Sequence, residues 1–264
     1  MYPILNEDER LDVVNDNVRL IQKKSGLAFG TDALLLASFI DEKKDSLAFE
    51  FGGGSGIISF LLLTRKKAAR VTVAEVQSAY ADLIQRNALL NGLESALSVV
   101  TADVRTLSPA NDDGAYQYVF TNPPYMRTSG FLNQAADKAV ARHEIYGDIG
   151  DFCRIASLKL KYGGHFYAVY RPDRLTDLLC AMRQYKLEPK KITFVHADAK
   201  SPPCLFLIKG KKGGGVGLTN TPPLVLHTDE THTANTEEHS YILEYGSFPQ
   251  KKKRDKQKEG KTHE

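Results

Sequence analysis

Strand-like and helix-like segments alternate along this chain from residue 47 to residue 185. Short runs rich in β-branched and aromatic residues have the length of strands, and the stretches between them have the length and apolar spacing of helices. Such a chain can bury both kinds of element only as a mostly parallel sheet with helices on both faces, so we predict an α/β fold. The predicted strands are 47–51, 71–74, 97–101, 116–121, 165–170, 192–197 and 204–209, and the predicted helices are 57–67, 78–90, 151–162 and 174–185.

The two ends of this alternating region differ from its middle. The last two predicted strands have no helical pattern between them, which favours an antiparallel pair at one edge of the sheet. Residues 1–46 predict a short hairpin, with strands at 12–14 and 18–21, and a helix at 33–40 with Thr31 as its N-cap. Residues 47–212 form the predicted core. The polar residues 213–264 are too poor in apolar side chains to offset their ordering entropy, so we predict a largely disordered tail with one short strand at 241–243.

The composition of the chain indicates which kinds of partner and which cellular compartment to expect. Its 264 residues are 42% hydrophobic, enough for a sizeable core, and the net charge of +3 permits a nucleic-acid partner without requiring one. Cys153, Cys180 and Cys204 form no Cys-x-x-Cys pair, so we expect neither a metal site nor a disulfide framework. The first ten residues lack a signal-peptide pattern, and no apolar run is long enough to span a membrane. We therefore predict a cytoplasmic protein with no membrane partner.

A glycine-rich turn follows the first strand of the alternating region and precedes a predicted helix. Glu50 stands before Gly52, Gly54 and Gly56, and glycines at these positions allow positive φ angles and close approach of a ligand to the backbone. The spacing differs from the dinucleotide pattern G-x-G-x-x-G, and no Lys-Ser/Thr pair follows for a triphosphate. An acid beside the turn would repel phosphate and would suit a cationic ligand such as an aminoacyl group or a sulfonium. A purely structural turn is the alternative interpretation.

Two further acids lie at the ends of the next predicted strands. Glu75 ends the second strand, where a carboxylate can accept hydrogen bonds from the hydroxyls of a ribose. Asp103, followed by Val104, ends the third strand and could accept a hydrogen bond from an adenine amino group. Because the carboxyl ends of parallel strands meet at one edge of the sheet, these acids and the glycine turn would line a single crevice.

The turn Asn122-Pro123-Pro124-Tyr125 follows the fourth strand. The lone pair of an aromatic amino group is delocalised into the ring, so the nitrogen is a poor nucleophile. Two hydrogen-bond acceptors for the N–H bonds would favour a pyramidal nitrogen, on which the lone pair is free to react. The side-chain oxygen of Asn122 and the carbonyl of Pro123 could be those acceptors, while the two prolines stiffen the turn. Tyr125 could stack on the flat ring system. A rigid turn without chemistry is the alternative interpretation.

Taken together, these residues resemble the Rossmann-like, class I S-adenosylmethionine-dependent methyltransferases of the branch that carries Asn-Pro-Pro-Tyr. The resemblance implies a seven-stranded, mostly parallel sheet whose last strand is antiparallel. It also implies that Glu50 and the glycines hold the methionine end of the cofactor, Glu75 the ribose, and Asp103 with Val104 the adenine, and that Asn122 adjoins both cofactor and substrate. Within this branch the chain resembles the bacterial family that methylates the amino group of adenine 37 in valine tRNA. The segment that carries this likeness includes Phe29, Thr31 and Asp32, and the resemblance implies that they pack over the methionine moiety.

Other targets remain open at this stage. Methyltransferases that modify a glutamine amide of release factors share the turn but carry a helical N-terminal domain, for which the 46 residues before the first core strand are too few. DNA adenine methyltransferases usually bring a target-recognition region, and no insertion here is large enough. A binding protein without catalysis would be expected to lose either the turn or the crevice. We expect a monomer acting on the anticodon loop of tRNA, where the target base is already unpaired.

Overall fold

The computed structural model describes residues 5–25, 29–123 and 148–249. Its strands are β1 (Glu9–Asn15), β2 (Val18–Lys23), β3 (Leu47–Phe51), β4 (Arg70–Glu75), β5 (Leu97–Thr101), β6 (Tyr116–Thr121), β7 (Leu160–Tyr170), β8 (Leu187–His196), β9 (Pro203–Lys212), β10 (Thr219–Asn220) and β11 (Leu224–Val225). Its α-helices are α1 (Thr31–Phe39), α2 (Ile57–Thr64), α3 (Ser78–Leu90), α4 (Ile149–Lys159), α5 (Leu175–Gln184) and α6 (Glu237–Tyr245), with 3-10 turns at Val104–Thr106 and Pro172–Arg174. No helix within these ranges is long and apolar enough to cross a membrane.

A central sheet organises the molecule, with strand order β5-β4-β3-β6-β7-β9-β8. All of these strands run parallel except β9, which is antiparallel to both of its neighbours. The predicted α/β fold, with an antiparallel last strand, is therefore confirmed. Two very short strands, β10 and β11, add to the outer edge of β8 and were not predicted.

Both faces of the sheet are buried, because side chains alternate between two hydrophobic clusters. In β3, Ala48 belongs to the cluster under α1, α2 and α6, whereas Phe49 belongs to the cluster under α4 and α5. Helix α2 is buried along almost its whole length, from Ile57 to Leu63. This burial explains why the sequence of α2 shows an apolar run, interrupted only by Ser59, rather than an amphipathic pattern.

The predicted N-terminal hairpin forms from β1 and β2 and is fastened to α3 by two side-chain amides. The Asn87 amide accepts from the backbone N–H of Ile21 at 2.7 Å and donates to its carbonyl at 3.0 Å. One helical turn later, the Asn91 amide makes the same pair of bonds to Arg19, at 2.9 and 2.7 Å. The two amides thus satisfy alternate peptide groups of β2, as a neighbouring strand would.

An ion pair adds to this attachment. Both guanidinium nitrogens Nη1 and Nη2 of Arg86 donate to the carboxylate of Glu9, each at 2.8 Å. This bidentate contact lowers the pKa of Glu9 to about 2. The hairpin is therefore held at a fixed position on α3, next to the segment that leads into α1.

The polar residues after Lys212 correct the prediction of a largely disordered tail. Residues 213–249 contain β10, β11 and α6, and the strand predicted at 241–243 lies inside α6. The helix forms because Thr236 accepts from His239 N at its start and Gly246 ends it with a left-handed conformation. Residues 250–264, which include a basic run at 251–254, lie outside the described residues.

One buried lysine attaches α6 to the core. The ammonium group of Lys67 donates to the carbonyls of Ala37, Ser38 and Gly246, at 2.8, 3.1 and 3.0 Å. These carbonyls belong to the C-terminal turn of α1 and the end of α6, where unpaired carbonyls favour a cation. Burial lowers the pKa of Lys67 to about 7.

The amide pair on α3 gives a test of how the hairpin is held. Asn87→Ala would leave the buried N–H and carbonyl of Ile21 without partners, and should lower the free energy of unfolding by roughly 2–4 kcal/mol. Asn91→Ala is the matched control, because its partner Arg19 lies at an exposed position where water can replace the amide, and should cost about 1 kcal/mol or less. Urea denaturation of the two variants measures the difference. Equal losses would show that the buried hydrogen bonds of Asn87 hold the hairpin no more strongly than the exposed ones of Asn91.

Candidate active site

The glycine-rich turn between β3 and α2 adopts a conformation that requires its glycines. Gly52, Gly54 and Gly56 have φ angles of +70°, +54° and +80°. A Cβ atom added at Gly52 or Gly54 would meet no atom within 4 Å, so the backbone borders open space there. At Gly53, by contrast, a Cβ would lie 2.2 Å from Cγ1 of Val73, because the turn packs directly on β4. The turn thus presents bare backbone on one side and is tightly packed on the other.

Glu75 holds this turn from the end of β4. Its Oε2 accepts from the N–H of Gly54 and its Oε1 from the N–H of Gln77, both at 2.9 Å, and only 5% of the residue is exposed. Each oxygen of a carboxylate has a second lone pair, so Glu75 can accept further hydrogen bonds from a ligand. The predicted site acid therefore has a structural function as well.

Glu50 lies beneath the turn rather than along an open surface. Only 1% of it is exposed, and the hydroxyl of Ser59 on α2 donates to its carboxylate. Burial is the main reason why the pKa of Glu50 rises to about 8; the nearby carboxylate of Glu75 raises it further and the Ser59 hydroxyl opposes the shift. Ser59 was not among the site residues predicted from the sequence. A single serine in the apolar run of α2 was the available signal.

Asp103 follows β5 at the same edge of the sheet. Its carboxylate accepts from the backbone N–H of Arg105 at 2.8 Å and from the guanidinium of the same residue, which lowers the pKa of Asp103. Val104 is buried and begins the 3-10 turn. The Asp103 side chain remains 21% exposed, so it stays accessible as an acceptor beside the crevice.

Asn122, the first residue after β6, is oriented by an acid from α1. Its Nδ2 donates to Oδ2 of Asp32 at 3.0 Å. A carboxylate only accepts hydrogen bonds, so this contact fixes which end of the amide faces Asp32 and leaves Oδ1 of Asn122 as an acceptor elsewhere. Thr121, fully buried, donates from Oγ1 to the carbonyl of Phe51 at 3.0 Å and so joins the ends of β6 and β3. Pro123 is buried, and Pro124 and Tyr125 lie outside the described residues.

Two further predicted residues, Phe29 and Thr31, lie on either side of the N-cap residue of α1. The N–H of Phe29 donates to Oε1 of Gln22 at 3.3 Å, and its ring packs on the hydrophobic core. Thr31 is exposed and is the first residue of α1; the N-cap position is Gly30, so the predicted capping role of Thr31 is wrong.

Strand register accounts for the convergence of these residues. Phe51 lies opposite both Ala74 of β4 and Thr121 of β6, so Gly52, Glu75 and Asn122 each stand one position beyond aligned residues. Asp103 follows two positions after Thr101, the partner of Glu75 in β5. The glycine turn, Glu75, Asp103 and Asn122 therefore lie at one edge of the sheet, and Asp32 reaches the same edge through its hydrogen bond to Asn122. No group of three or more His, Cys, Asp or Glu side chains within those ranges is placed to hold a metal ion.

Comparison with known protein families gives a match over more than half of the chain. Residues 24–172 match the family described as the methyltransferase small domain. Similar curated proteins include two named tRNA1(Val) (adenine(37)-N6)-methyltransferase. The one from Aeromonas hydrophila is 23% identical over 206 residues, covering 78% of this chain and 84% of the relative. The one from Phocaeicola vulgatus is 22% identical over 188 residues, covering 71% and 78%. With a relative of the same name from Shewanella putrefaciens, the chain shares 29% identity over 119 residues, about half of that protein's length.

Solved structures share the fold. A predicted O-methyltransferase from Agrobacterium tumefaciens superposes with a TM-score of 0.68 at 23% identity, covering 83% of this chain and 98% of that one. Geranyl diphosphate C-methyltransferase from Streptomyces coelicolor, in complex with S-adenosyl-L-homocysteine, gives a TM-score of 0.52 at 16% identity, covering 69% and 78%. The shared feature is the α/β architecture.

The buried carboxyl of Glu50 makes a prediction about pH. Its folded pKa of about 8 exceeds the ordinary value of 4.5, so the folded state binds the proton more tightly than the unfolded state. The resulting stabilisation is fully present below the unfolded pKa and is lost as the pH rises through the folded pKa. Glu50→Gln keeps a neutral side chain, so its stability relative to the wild type should increase between about pH 5 and about pH 8, by a few kcal/mol at most (about 1.36 kcal/mol per pKa unit).

Urea denaturation across this pH range measures the effect. Ser59→Ala is the companion variant, because it removes the hydroxyl that opposes the rise in pKa and should therefore extend the loss of stability to higher pH. If the free energies of unfolding of wild type and Glu50→Gln vary in parallel with pH, the raised pKa of Glu50 is contradicted.

Proposed function

This chain belongs to the methyltransferase small domain family, and we propose that it transfers the methyl group of S-adenosylmethionine to the exocyclic amino group of an adenine in tRNA. The expected target is adenine 37 of valine tRNA. The observation that carries the proposal is the amide of Asn122, which Asp32 orients at the end of β6, one strand away from the glycine turn.

The described residues fit the proposed cofactor. Gly52 and Gly54 border open space that a side chain would fill, which leaves room for a ligand against the backbone. Glu75 retains acceptor capacity for ribose hydroxyls, and Asp103 is a partly exposed acceptor for the adenine amino group. Glu50, buried beneath the turn, would support the methionine end of the cofactor indirectly, by holding the glycine turn and by attracting the positive charges of the ligand. An ammonium or sulfonium above it would favour its ionised form.

Asn122 and Pro123 would activate the substrate. Bound S-adenosylmethionine supplies an electrophilic methyl group on a sulfonium. Oδ1 of Asn122 and the carbonyl of Pro123 would each accept one N–H of the substrate amino group, so that its lone pair is less delocalised into the ring. Correct positioning of the two reactants can supply up to about 7–11 kcal/mol of the acceleration. The proton is lost after transfer, so no strong base is required.

Asp32 is the positioning residue in this scheme. Its contact with Nδ2 keeps Oδ1 of Asn122 directed away from α1, and the charge of the carboxylate strengthens that hydrogen bond. Tyr125 would stack on the target base, and Phe29 and Thr31 would border the methionine end. These roles remain predictions of the resemblance.

The names of the curated relatives support tRNA as the substrate. An anticodon-loop adenine is unpaired, so less energy is needed to bring its amino group to Asn122 than for a base within a helix. We further propose that the protein acts as a monomer in the cytoplasm.

Substitution of Asn122 tests the chemistry directly. Asn122→Ala should lower kcat for methyl transfer to valine tRNA by about 10²–10³-fold, the loss typical of removing one preorganised polar group from an active site. Binding of S-adenosylmethionine, followed by calorimetry, should change little. Asp32→Ala should give a smaller loss, because the amide remains but is no longer oriented. Asn111→Ala, which removes an exposed amide before β6, is the control. A near-wild-type rate for Asn122→Ala with intact cofactor binding would refute the assigned role.

A deletion strain tests the substrate. Mass spectrometry of nucleosides from purified valine tRNA should show that N6-methyladenosine disappears on deletion and returns with the wild-type gene. The gene for Asn122→Ala should fail to restore it. If every methylated adenosine of the tRNA pool persists after deletion, the tRNA assignment is wrong while methyl transfer to another amino group remains open to assay.

A further inference from the structure

A groove lies at the outer edge of the sheet, where β10 and β11 flank β8. Asn220 pairs with Ile192 and Leu224 pairs with Val195, but the intervening residues 221–223 leave the ladder opposite Phe194. This interruption opens a cavity of about 300 Å³. Its lining residues are Phe194, His196, Pro203, Asn220, Thr221 and Pro223.

The groove offers flat apolar surfaces and a few polar groups. Phe194 and His196 lie two residues apart in β8, so their side chains share one face of the sheet. Pro203 lies opposite His196 in β9. Nδ1 of His196 donates to the carbonyl of Ser201 at 2.8 Å, which fixes the ring and leaves Nε2 as an acceptor in the neutral form. Asn220, exposed at the rim, provides an amide. Aromatic faces with amide and imidazole groups at their margin suit an unstacked nucleobase.

The groove lies at the same edge of the sheet as Asn122. Strands β6, β7 and β8 are parallel to one another, and both Asn122 and His196 stand at their carboxyl ends. Because β7 and β9 separate β6 from β8, the two positions are at least three strand spacings apart, about 14 Å. The strand register also places His196 about three residues further along the strand direction than Asn122. A single-stranded RNA whose target adenine reaches Asn122 could place a nearby base in the groove.

The groove also lies outside the part of the chain shared with the family. The matched residues end at 172, and the lining residues lie between 194 and 223. The family domain supplies the proposed cofactor crevice and Asn122, whereas the groove belongs to the C-terminal strands. A feature that selects among substrates is expected in the part of the chain that the shared domain does not include.

We propose that this groove binds one nucleobase of the RNA substrate, close in sequence to the target adenine, by stacking on Phe194 and His196. The inference rests on the proposed function and extends it to a second contact that helps to select the RNA. Aromatic stacking of one base typically changes the affinity for a single strand by roughly five- to 150-fold.

A coupling experiment tests the groove. Anticodon stem-loops of valine tRNA are prepared with an abasic site at each loop position in turn. Their dissociation constants are measured with the wild-type protein and with Phe194→Leu, which keeps apolar volume but removes the aromatic face. Asn220→Ala, at an exposed position, is the second variant in case Phe194→Leu folds poorly. Tyr162→Ala removes an exposed aromatic ring at the opposite edge of the sheet and serves as the control.

We expect Phe194→Leu to weaken binding of the intact stem-loop about tenfold, and Asn220→Ala to weaken it several-fold. At one abasic position, the wild type should also bind about tenfold more weakly than it binds the intact stem-loop. At that position, Phe194→Leu should bind no more weakly than it binds the intact stem-loop. Tyr162→Ala should bind every stem-loop as the wild type does. If the losses are additive at every position, or if both variants bind as tightly as the wild type, no base occupies the groove and the inference is overturned.

Methyl transfer by the wild type to the intact stem-loop is assayed in parallel and separates the two proposals. Transfer without coupling at any position overturns the groove and leaves the proposed function standing. Coupling without transfer supports the groove as an RNA contact and overturns the proposed function.

Discussion

The parallel pairing of β3 with β4 on one side and β6 on the other is the constraint on which the site depends. It sets Phe51 level with Ala74 and Thr121, so the next residues along the chain, Gly52, Glu75 and Asn122, emerge together. The Thr121 hydroxyl on the Phe51 carbonyl and the Glu75 carboxylate on the Gly54 N–H then lock these ends to one another. The edge of the sheet is therefore a preorganised surface built mainly from backbone register, on which a few side chains confer chemistry.

Residues far apart in sequence complete this surface. Asp32 reaches Asn122 across 90 residues, and Asn87 reaches Ile21 across 66. The hairpin, α3 and the start of α1 thus form a continuous support behind the candidate crevice. Gln22 of the hairpin also accepts from the N–H of Phe29, which stands just before the N-cap of α1. The N-terminal residues thus contact the same edge of the sheet that the central strands form, through Asp32 and Asn122.

The sequence was informative where local pattern and tertiary environment agree. The bounds of α3 and of β3, β5 and β6 were predicted to the residue, because periodicity, turn residues and burial coincide there. It was misleading for α6, whose polar composition hid a helix held by a threonine cap, a terminal glycine and Lys67. The positions of Glu75, Asp103 and Asn122 at one edge followed from parallel pairing. The burial of Glu50 against Ser59 and the contact of Asn122 with Asp32 did not, since both depend on distances between elements that no local pattern encodes.

The amides of Asn87 and Asn91 have a consequence for solubility. A hairpin strand presents free N–H and C=O groups on its outer side, and such an edge can recruit the strand of another molecule. Helix α3 occupies the side of β2 that contains Arg19 and Ile21, where an incoming strand would have to dock. The same two side chains that hold the hairpin in place thereby protect the edge of β2 against intermolecular strand addition.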